Sequence, residues 1–276
     1  MYNKQYNQRN YSNRKEERRL KAYNWTIEME QEFSREIDYS IHNTQVYDDL
    51  DGSKRLYQTT DKTNTMTIEV VPLDTVSAIF KYQDDTSLVT LNFASFKNPG
   101  GGFMNGSKAQ EECLCEESFL YNVLYSFNNT FYEENRKMLN KSMYKNRALY
   151  SPQIIFLREE KNGKNEKIEK EAISDVITCA SPNFSSGKNL GISKEENLKV
   201  LESRIQFILD IASINHAETL ILGAFGCGVF KQDPKNVANI FKKLLPHYPF
   251  VKVVFAIPQS RKDNNYEVFK QVFEER

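Results

Sequence analysis

Gln110-Glu111-Glu112 follows a run of three glycines, Gly100-Gly101-Gly102, across a spacer of seven residues, Phe103–Ala109. Consecutive glycines let a backbone approach a ligand with no Cβ in the way, although the same residues also suit a plain turn. Acids in the first turn of a helix are common, because the helix N-terminus favours negative charge. The alternative is catalytic. Neighbouring helix positions point about 100° apart, so one carboxyl can hold a hydroxyl while the other handles a proton. A general acid needs a pKa raised toward neutrality, whereas the helix end lowers it. Burial and a like-charged neighbour, Glu111 or a ligand diphosphate, would have to supply the shift.

A second glycine loop reads Gly223-Ala-Phe-Gly226-Cys227-Gly228-Val229-Phe230. It lacks both the G-x-G-x-x-G spacing and the Gly-Lys-Ser/Thr ending, yet its Gly-x-Gly fits a phosphate-cradling turn. Phe230 either stacks on a ligand or is core. The cysteines Cys113, Cys115, Cys179 and Cys227 show no Cys-x-x-Cys spacing, and only His42, His216 and His247 accompany them, so no metal is expected. Cys113 reads as an ordinary buried thiol, Cys227 as a backbone donor more than a sulfur, and Trp25 as core.

These loops must be positioned by strands and helices. Residues 1–13 are expected as a disordered tail, with a helix starting near Arg14. Residues 14–65 read as a helical N-terminal extension, with a turn at Asp48–Ser53, and 66–276 as the main domain. In the latter, strands at Thr67–Val71, Ser87–Phe93, Ile154–Leu157, Asp175–Ala180, Thr219–Gly223 and Lys252–Ile257 alternate with helices. Asp74 caps one helix, and a single helix runs from Lys108 to about Phe127. A capping box at Ser193 and Glu196 opens another, Asp233-Pro234 starts a third, and Tyr266–Glu274 is the last. Arg158–Glu171 reads as an exposed hairpin or loop. Such alternation indicates an α/β domain whose mixed sheet is covered on both faces. Ligands then sit beyond the carboxyl ends of the strands, where both glycine loops lie.

The 276 residues carry 37 basic and 37 acidic side chains. That balance argues against a general nucleic-acid binder, so any anion site must be built locally. No apolar run reaches the roughly 18 residues of a membrane span, and few cysteines argue against a secreted disulfide framework. A cytoplasmic monomer with no membrane partner is expected. The N-terminal 22 residues hold seven basic against two acidic side chains, either a solvated tail or a weak anion-attracting arm.

The segment NFASFKNPGGGFMNGSKAQEECLCEESFLY resembles the signature of the poly(ADP-ribose) glycohydrolases, in its compact microbial form. ALYSP (Ala148–Pro152), VITCASPN (Val176–Asn183) and GAFGCGVFKQDP (Gly223–Pro234) match it as well, so the resemblance runs from about Ile68 to the C-terminus. It implies a macrodomain-like three-layer α/β/α fold and hydrolysis of the ribose–ribose glycosidic bonds of poly(ADP-ribose) from chain ends. ADP-ribose would be the product, with no cofactor. By that pattern Glu112 is the acid/base, Glu111 orients ribose hydroxyls, and Gln110 positions the pair or touches ligand. Gly100, Gly101 and Gly102 pass the distal ribose and diphosphate. Gly226, Cys227, Gly228 and Val229 wrap the diphosphate, and Phe230 packs on the distal ribose. Asn92-Phe93-Ala94-Ser95 departs from the Asp-Phe-Ala-Asn of the animal enzymes, which leaves Asn98 or Ser95 for the sugar contact. Asp74 is the candidate for the adenine end. Hydrolysis of mono-ADP-ribosylated protein, or non-catalytic ADP-ribose binding, are the alternatives. Readers need no acid at position 112.

Overall fold

Strands β1 (Gln45–Asp49), β2 (Thr67–Val71), β3 (Leu88–Phe93), β4 (Asn146–Lys161), β5 (Lys167–Cys179), β6 (Thr219–Leu222) and β7 (Lys252–Ala256) form one sheet in the order β1-β4-β5-β3-β6-β7-β2. The chain is seen in a computed structural model that describes residues 2–49, 66–161 and 167–274. The pairs β1/β4 and β4/β5 are antiparallel, and β5, β3, β6, β7 and β2 run parallel. The central strands are buried on both faces, so their alternation splits two apolar sets rather than apolar from polar. Val89, Leu91, Leu220, Leu222, Val253 and Phe255 enter one core, whereas Leu88, Ile221, Val254 and Ala256 enter the other.

Among the described residues the helices are α1 (Tyr2–Glu32), α2 (Ser34–Asn43), α3 (Thr75–Tyr82), α4 (Gln110–Glu116), α5 (Leu120–Ser126), α6 (Glu133–Lys137), α7 (Phe184–Asn189), α8 (Lys194–Ile214), α9 (Pro234–Leu244) and α10 (Asn265–Glu274). Apolar residues of α8, α9 and α10 fill the first core, and those of α1 to α5 the second. The result is the three-layer α/β/α arrangement expected from the alternation. Caps fall where the sequence places them: Asp74 accepts from Ser77 N, Ser193 and Glu196 form the reciprocal box, and Asp233 accepts from Asn236 N.

Several elements differ from the sequence reading. Helix α1 begins at Tyr2 rather than near Arg14, because residues 2–32 contain neither Gly nor Pro to stop it. The N-terminal segment is not wholly helical, since β1 occupies Gln45–Asp49 and zips onto β4. Residues 50–53 of the expected turn lie outside the described residues. The helix expected over 108–127 is two helices. Its ladder breaks at 117–119, where the carbonyls of Glu117 and Ser118 have tertiary partners. The Glu117 carbonyl accepts from Leu157 N, and the Ser118 carbonyl accepts from Trp25 Nε1 at 2.9 Å. The strand expected at Ile154–Leu157 is the middle of β4, which pairs with β5 out to Lys161↔Lys167 and so makes a hairpin of the charged stretch. The charges there hide the strand pattern. Asn162-Gly163 lie outside the described residues.

One buried cation ties this frame to the strand ends. Arg204 of α8 is fully buried. It donates to Asn146 Oδ1 at 2.7 Å, to the Met143 carbonyl at 3.4 Å and to the Ala180 carbonyl. It thereby joins the entry of β4 to the exit of β5. Each carbonyl stranded in a dry interior costs about 1–3 kcal/mol. Arg204→Ala is therefore expected to lower the stability by about 3 kcal/mol or more, read as an earlier midpoint in urea unfolding.

Candidate active site

The exit of β3 and the start of α4 meet through side chains rather than through the sheet. Gln110 accepts from Phe93 N at 2.8 Å, and its amide donates to the Leu91 carbonyl at 2.9 Å and to Thr75 Oγ1 at 3.2 Å. With donors and acceptor occupied, Gln110 is a clamp between strand and helix. It turns the two acids that follow it toward the strand ends.

Glu111 Oε2 accepts from Ser95 N at 2.7 Å, and Oε1 from Asn92 Nδ2 at 3.3 Å. Glu112 Oε2 accepts from Ala109 N at 2.8 Å, the N-cap position of α4, and Oε1 from Gly102 N at 2.8 Å. Each carboxyl thus links α4 to one end of the first glycine loop. The two converge over Gly101. A Cβ there would lie 2.6 Å from Glu112 Oε1 and 2.7 Å from Glu111 Oε2, and Gly101 has a φ of +61°. Glycine is required at this place by both space and backbone.

Glu111 is 3% exposed and Glu112 9%. Burial, with the neighbouring Glu112 charge adding to it, pushes the Glu111 carboxyl up to about 8 against the opposing hydrogen bonds from Ser95 and Asn92. Behind it, Asn92 keeps a buried Oδ1 without a partner.

A cavity of about 490 Å³ opens over this pair. Of the residues expected from sequence, it is lined by Asn98, Gly101, Gly102, Gln110, Glu111, Glu112, Gly226, Gly228, Val229 and Phe230. Two others stand away from it. Gly100 is buried against Tyr121 and Cys115, and Cys227 packs against the core with its thiol pushed up to about 12 by burial. Ser95 holds its loop by accepting from Lys97 N and Asn98 N through its hydroxyl. Asn98 is the exposed side chain beside it.

The second glycine loop forms the opposite wall. Gly226, at φ +76°, sits so close to Ser181 at the β5 exit that a Cβ would strike its hydroxyl. Buried Gln232 secures the loop by donating to the Pro182 carbonyl at 2.7 Å and exchanging bonds with Asn197. Val229 stands 77% exposed at the tip. Phe230 stands between cavity and core. It lines the cavity, and it packs edge-on against Tyr144, which stacks on Phe96 at 4.4 Å.

A second cavity of about 490 Å³ shares Phe93, Gln110 and Ala224 with the first. Asp74, Thr75, Ile257 and Asn265 line it. Burial pushes the Asp74 carboxyl upward, but the Ser77 hydroxyl and N–H and the Arg158 guanidinium outweigh it and hold it below its ordinary value. Sequence reasoning passed over Ser107, Asn105, Ser181 and Asn92. Of these, Ser181 carried a signal as the residue after an expected strand, and Asn92 as the first residue of the segment that departs from the animal pattern.

Residues 14–159 match the family of microbial-type PARG catalytic domains. Among solved structures, poly(ADP-ribose) glycohydrolase from Thermomonospora curvata bound to the inhibitor ADP-HPD is 27% identical, with a TM-score of 0.79 over 93% of this chain and 99% of that one. A second structure of the Thermomonospora enzyme superposes with a TM-score of 0.81 at 26% identity, over 94% of this chain and 100% of that one. The Deinococcus radiodurans enzyme in complex with ADP-ribose is 30% identical, with a TM-score of 0.75 over 86% and 97%. No curated protein matches the sequence.

Two outcomes follow from the geometry. Gly101→Ala forces a left-handed backbone onto a side chain, at about 1–2 kcal/mol, and displaces both carboxyls. Turnover is expected to fall about 100-fold, the scale of an ångström misplacement, while melting shows the protein still folded. Glu111 in turn sets a pH dependence. Its folded value, about 8, lies above its ordinary 4.5, so folding favours the neutral acid. The stability this gives is whole below about pH 4.5 and is lost as pH rises through 8. Thermal melts of the wild type should therefore fall across that window relative to Glu111→Gln. Parallel curves would show that Glu111 is ionised throughout.

Proposed function

Because the chain belongs to the microbial-type poly(ADP-ribose) glycohydrolase family and is a glycosidase acting on poly(ADP-ribose), we propose that Glu112 is its acid/base and that the two joined cavities hold one terminal ADP-ribose unit. The distal ribose lies over Gly101 and the acidic pair. The diphosphate runs between Gly102 and the Gly226–Phe230 wall, and adenine enters the cavity of Asp74 and Ile257. Asn98, beside Ser95, takes the sugar contact.

The observation that carries the reading is the convergence of both carboxyls on Gly101. A pair of glycosidase carboxylates that works across the scissile bond flanks it from two sides. Here both acids come from adjacent helix positions and reach the same glycine, so they stand on one side. One of them then does the proton work. Glu111 has both oxygens engaged with the β3 exit and is the more buried. It holds the ribose hydroxyls in register. Glu112 stands between Gly102 N and Ala109 N, each of which donates to one of its oxygens and so fixes the carboxyl in place.

Burial, with the neighbouring Glu112 charge adding to it, pushes the Glu111 carboxyl up, and the first step in this proposal needs a proton on Glu112. Glu112 donates it to the ribose oxygen that leaves as the glycosidic bond breaks. The electron pair of that bond goes to the departing oxygen, and the distal ribose becomes oxocarbenium-like. Glu112, now a carboxylate, takes a proton from water as the water oxygen bonds to the anomeric carbon. ADP-ribose and a polymer one unit shorter result.

Cleavage at chain ends is part of this proposal, supported by a cleft whose two cavities suit a single unit. The four unpaired cysteines accord with a reducing, cytoplasmic setting. Glu112→Gln is expected to lower turnover about 10²–10⁴-fold, the range of general acid–base catalysis, with ADP-ribose affinity by calorimetry within a few-fold of wild type. An active Glu112→Gln enzyme overturns the assignment. Product analysis on labelled long polymer should show ADP-ribose from the first time points, with gradually shortening chains and no early release of short oligomers, and a parallel assay on mono-ADP-ribosylated protein should show far slower release.

A further inference from the structure

The acid must stand beside the leaving oxygen, and that oxygen belongs to the rest of the polymer. The remaining chain therefore departs from the cleft past Glu112, not past the adenine cavity. What lies at that end is the short turn after the glycines. Gly102 N is bonded to Glu112, and Ser107 returns over Gly102 by donating its N–H to the Gly102 carbonyl at 3.0 Å. Asn105 and Ser107 form the rim of the cavity. Immediately behind them is α1. The Arg18 guanidinium donates to the Gly106 carbonyl at 2.8 Å. A Cβ on Gly106 would meet the Lys15 carbonyl at 2.5 Å, Arg18 Cβ at 3.2 Å and Arg19 Cγ at 3.3 Å. The helix is seated on the rim.

The face so placed is cationic. Residues 14–21 of α1 hold Arg14, Lys15, Arg18, Arg19 and Lys21 against Glu16 and Glu17. Arg19 pairs with Glu16, and Lys21 with Glu116 of α4. Arg14 and Lys15 are exposed and enter no ion pair among the described residues. Lys108, also exposed, follows Ser107 but lines the second cavity and is not part of this face. In a chain of zero net charge this is a local positive stripe, set where an anionic chain must emerge.

We propose that the 14–21 stretch of α1 is a binding surface for the diphosphate of the polymer unit that follows the scissile bond, with Arg14 and Lys15 as its free cations. This rests on the glycohydrolase reading and adds to it a place for the leaving strand. The contact is exposed and hence screened by salt. It acts on polymer alone, because free ADP-ribose has no unit beyond the distal ribose.

The test uses the full chain carrying Arg14→Glu and Lys15→Glu together, with Arg14→Gln and Lys15→Gln as the milder pair. Both leave the catalytic loop and the Arg18 bond in place, and ADP-ribose calorimetry reports that the site is folded. On long poly(ADP-ribose) at low salt, kcat/KM is expected to fall about 10-fold in the charge-reversed enzyme, mainly through KM, and to converge with wild type near 0.5 M salt, where the Debye length is only a few ångströms. In an otherwise inactive Glu112→Gln background, filter binding of the polymer should weaken to the same extent. Unchanged kcat/KM and unchanged polymer binding, with a wild type that cleaves polymer, overturn the surface and leave the activity standing. An equal loss of ADP-ribose affinity in both pairs also overturns it, since the helix would then act only through the fold. A wild type that neither binds nor cleaves polymer overturns the functional reading itself.

Discussion

Four backbone or amide N–H donors around two adjacent carboxyls hold this site together. Ser95 N, Asn92 Nδ2, Gly102 N and Ala109 N each take one oxygen of Glu111 or Glu112. The arrangement requires a helix that starts beneath a strand end and a loop thin enough to pass over two acids. It also requires a glycine where the acids meet. The parallel order of β5, β3, β6 and β7 supplies the first condition by bringing several strand exits to one edge. Gln110 then joins that edge to α4. Charge placed in a nearly dry site is costly unless it is hydrogen-bonded. The backbone donors around both carboxyls meet that need.

The two glycine loops serve different ends. In the first, Gly101 makes room for acids that the protein itself supplies. In the second, Gly226 makes room for the β5 exit, while Gly228 faces open space and Val229 projects outward. The wall is tied at Gln232 and exposed at its tip. The buried cation behind this wall, Arg204, fixes the strand exit and the Tyr144 turn together, so Phe230 has a firm backing. Here stability and function share the same few contacts.

Much of the fold was legible because central strands and capped helices are local signals. Asp74, Ser193 and Asp233 cap the helices the sequence assigns to them, and β2, β3, β6 and β7 fall within a residue or two of their expected bounds. What was hidden depends on distant partners. No local pattern shows that the carbonyl of Ser118 belongs to Trp25, so the break between α4 and α5 read as continuous helix. Strand β1 is a strand because β4 offers it an edge, and the charged flank of β4 is ordered by pairing with β5. In the site, residue types were legible and orientations were not. Gln110 looked like a ligand contact or a positioning group, and its partners make it a clamp. Gly100 and Cys227 stood inside the motifs but face away from the cavity.

The balance of charge, 37 against 37, bears on how such an enzyme can handle a polyanion. Backbone N–H groups and turns recognise a terminal diphosphate without any net charge, so the site itself needs no basic surface. A uniformly basic protein would hold the polymer everywhere along its length and release it slowly. A neutral protein with a basic stretch at residues 14–21 beside the exit of the cleft holds the strand where it leaves the acid. That contact favours the next encounter with the same chain end, and it costs little in release because exposed charges are weakly coupled in water. The N-terminal helix, which carries neither Glu111 nor Glu112, stands at that exit through its position on Gly106.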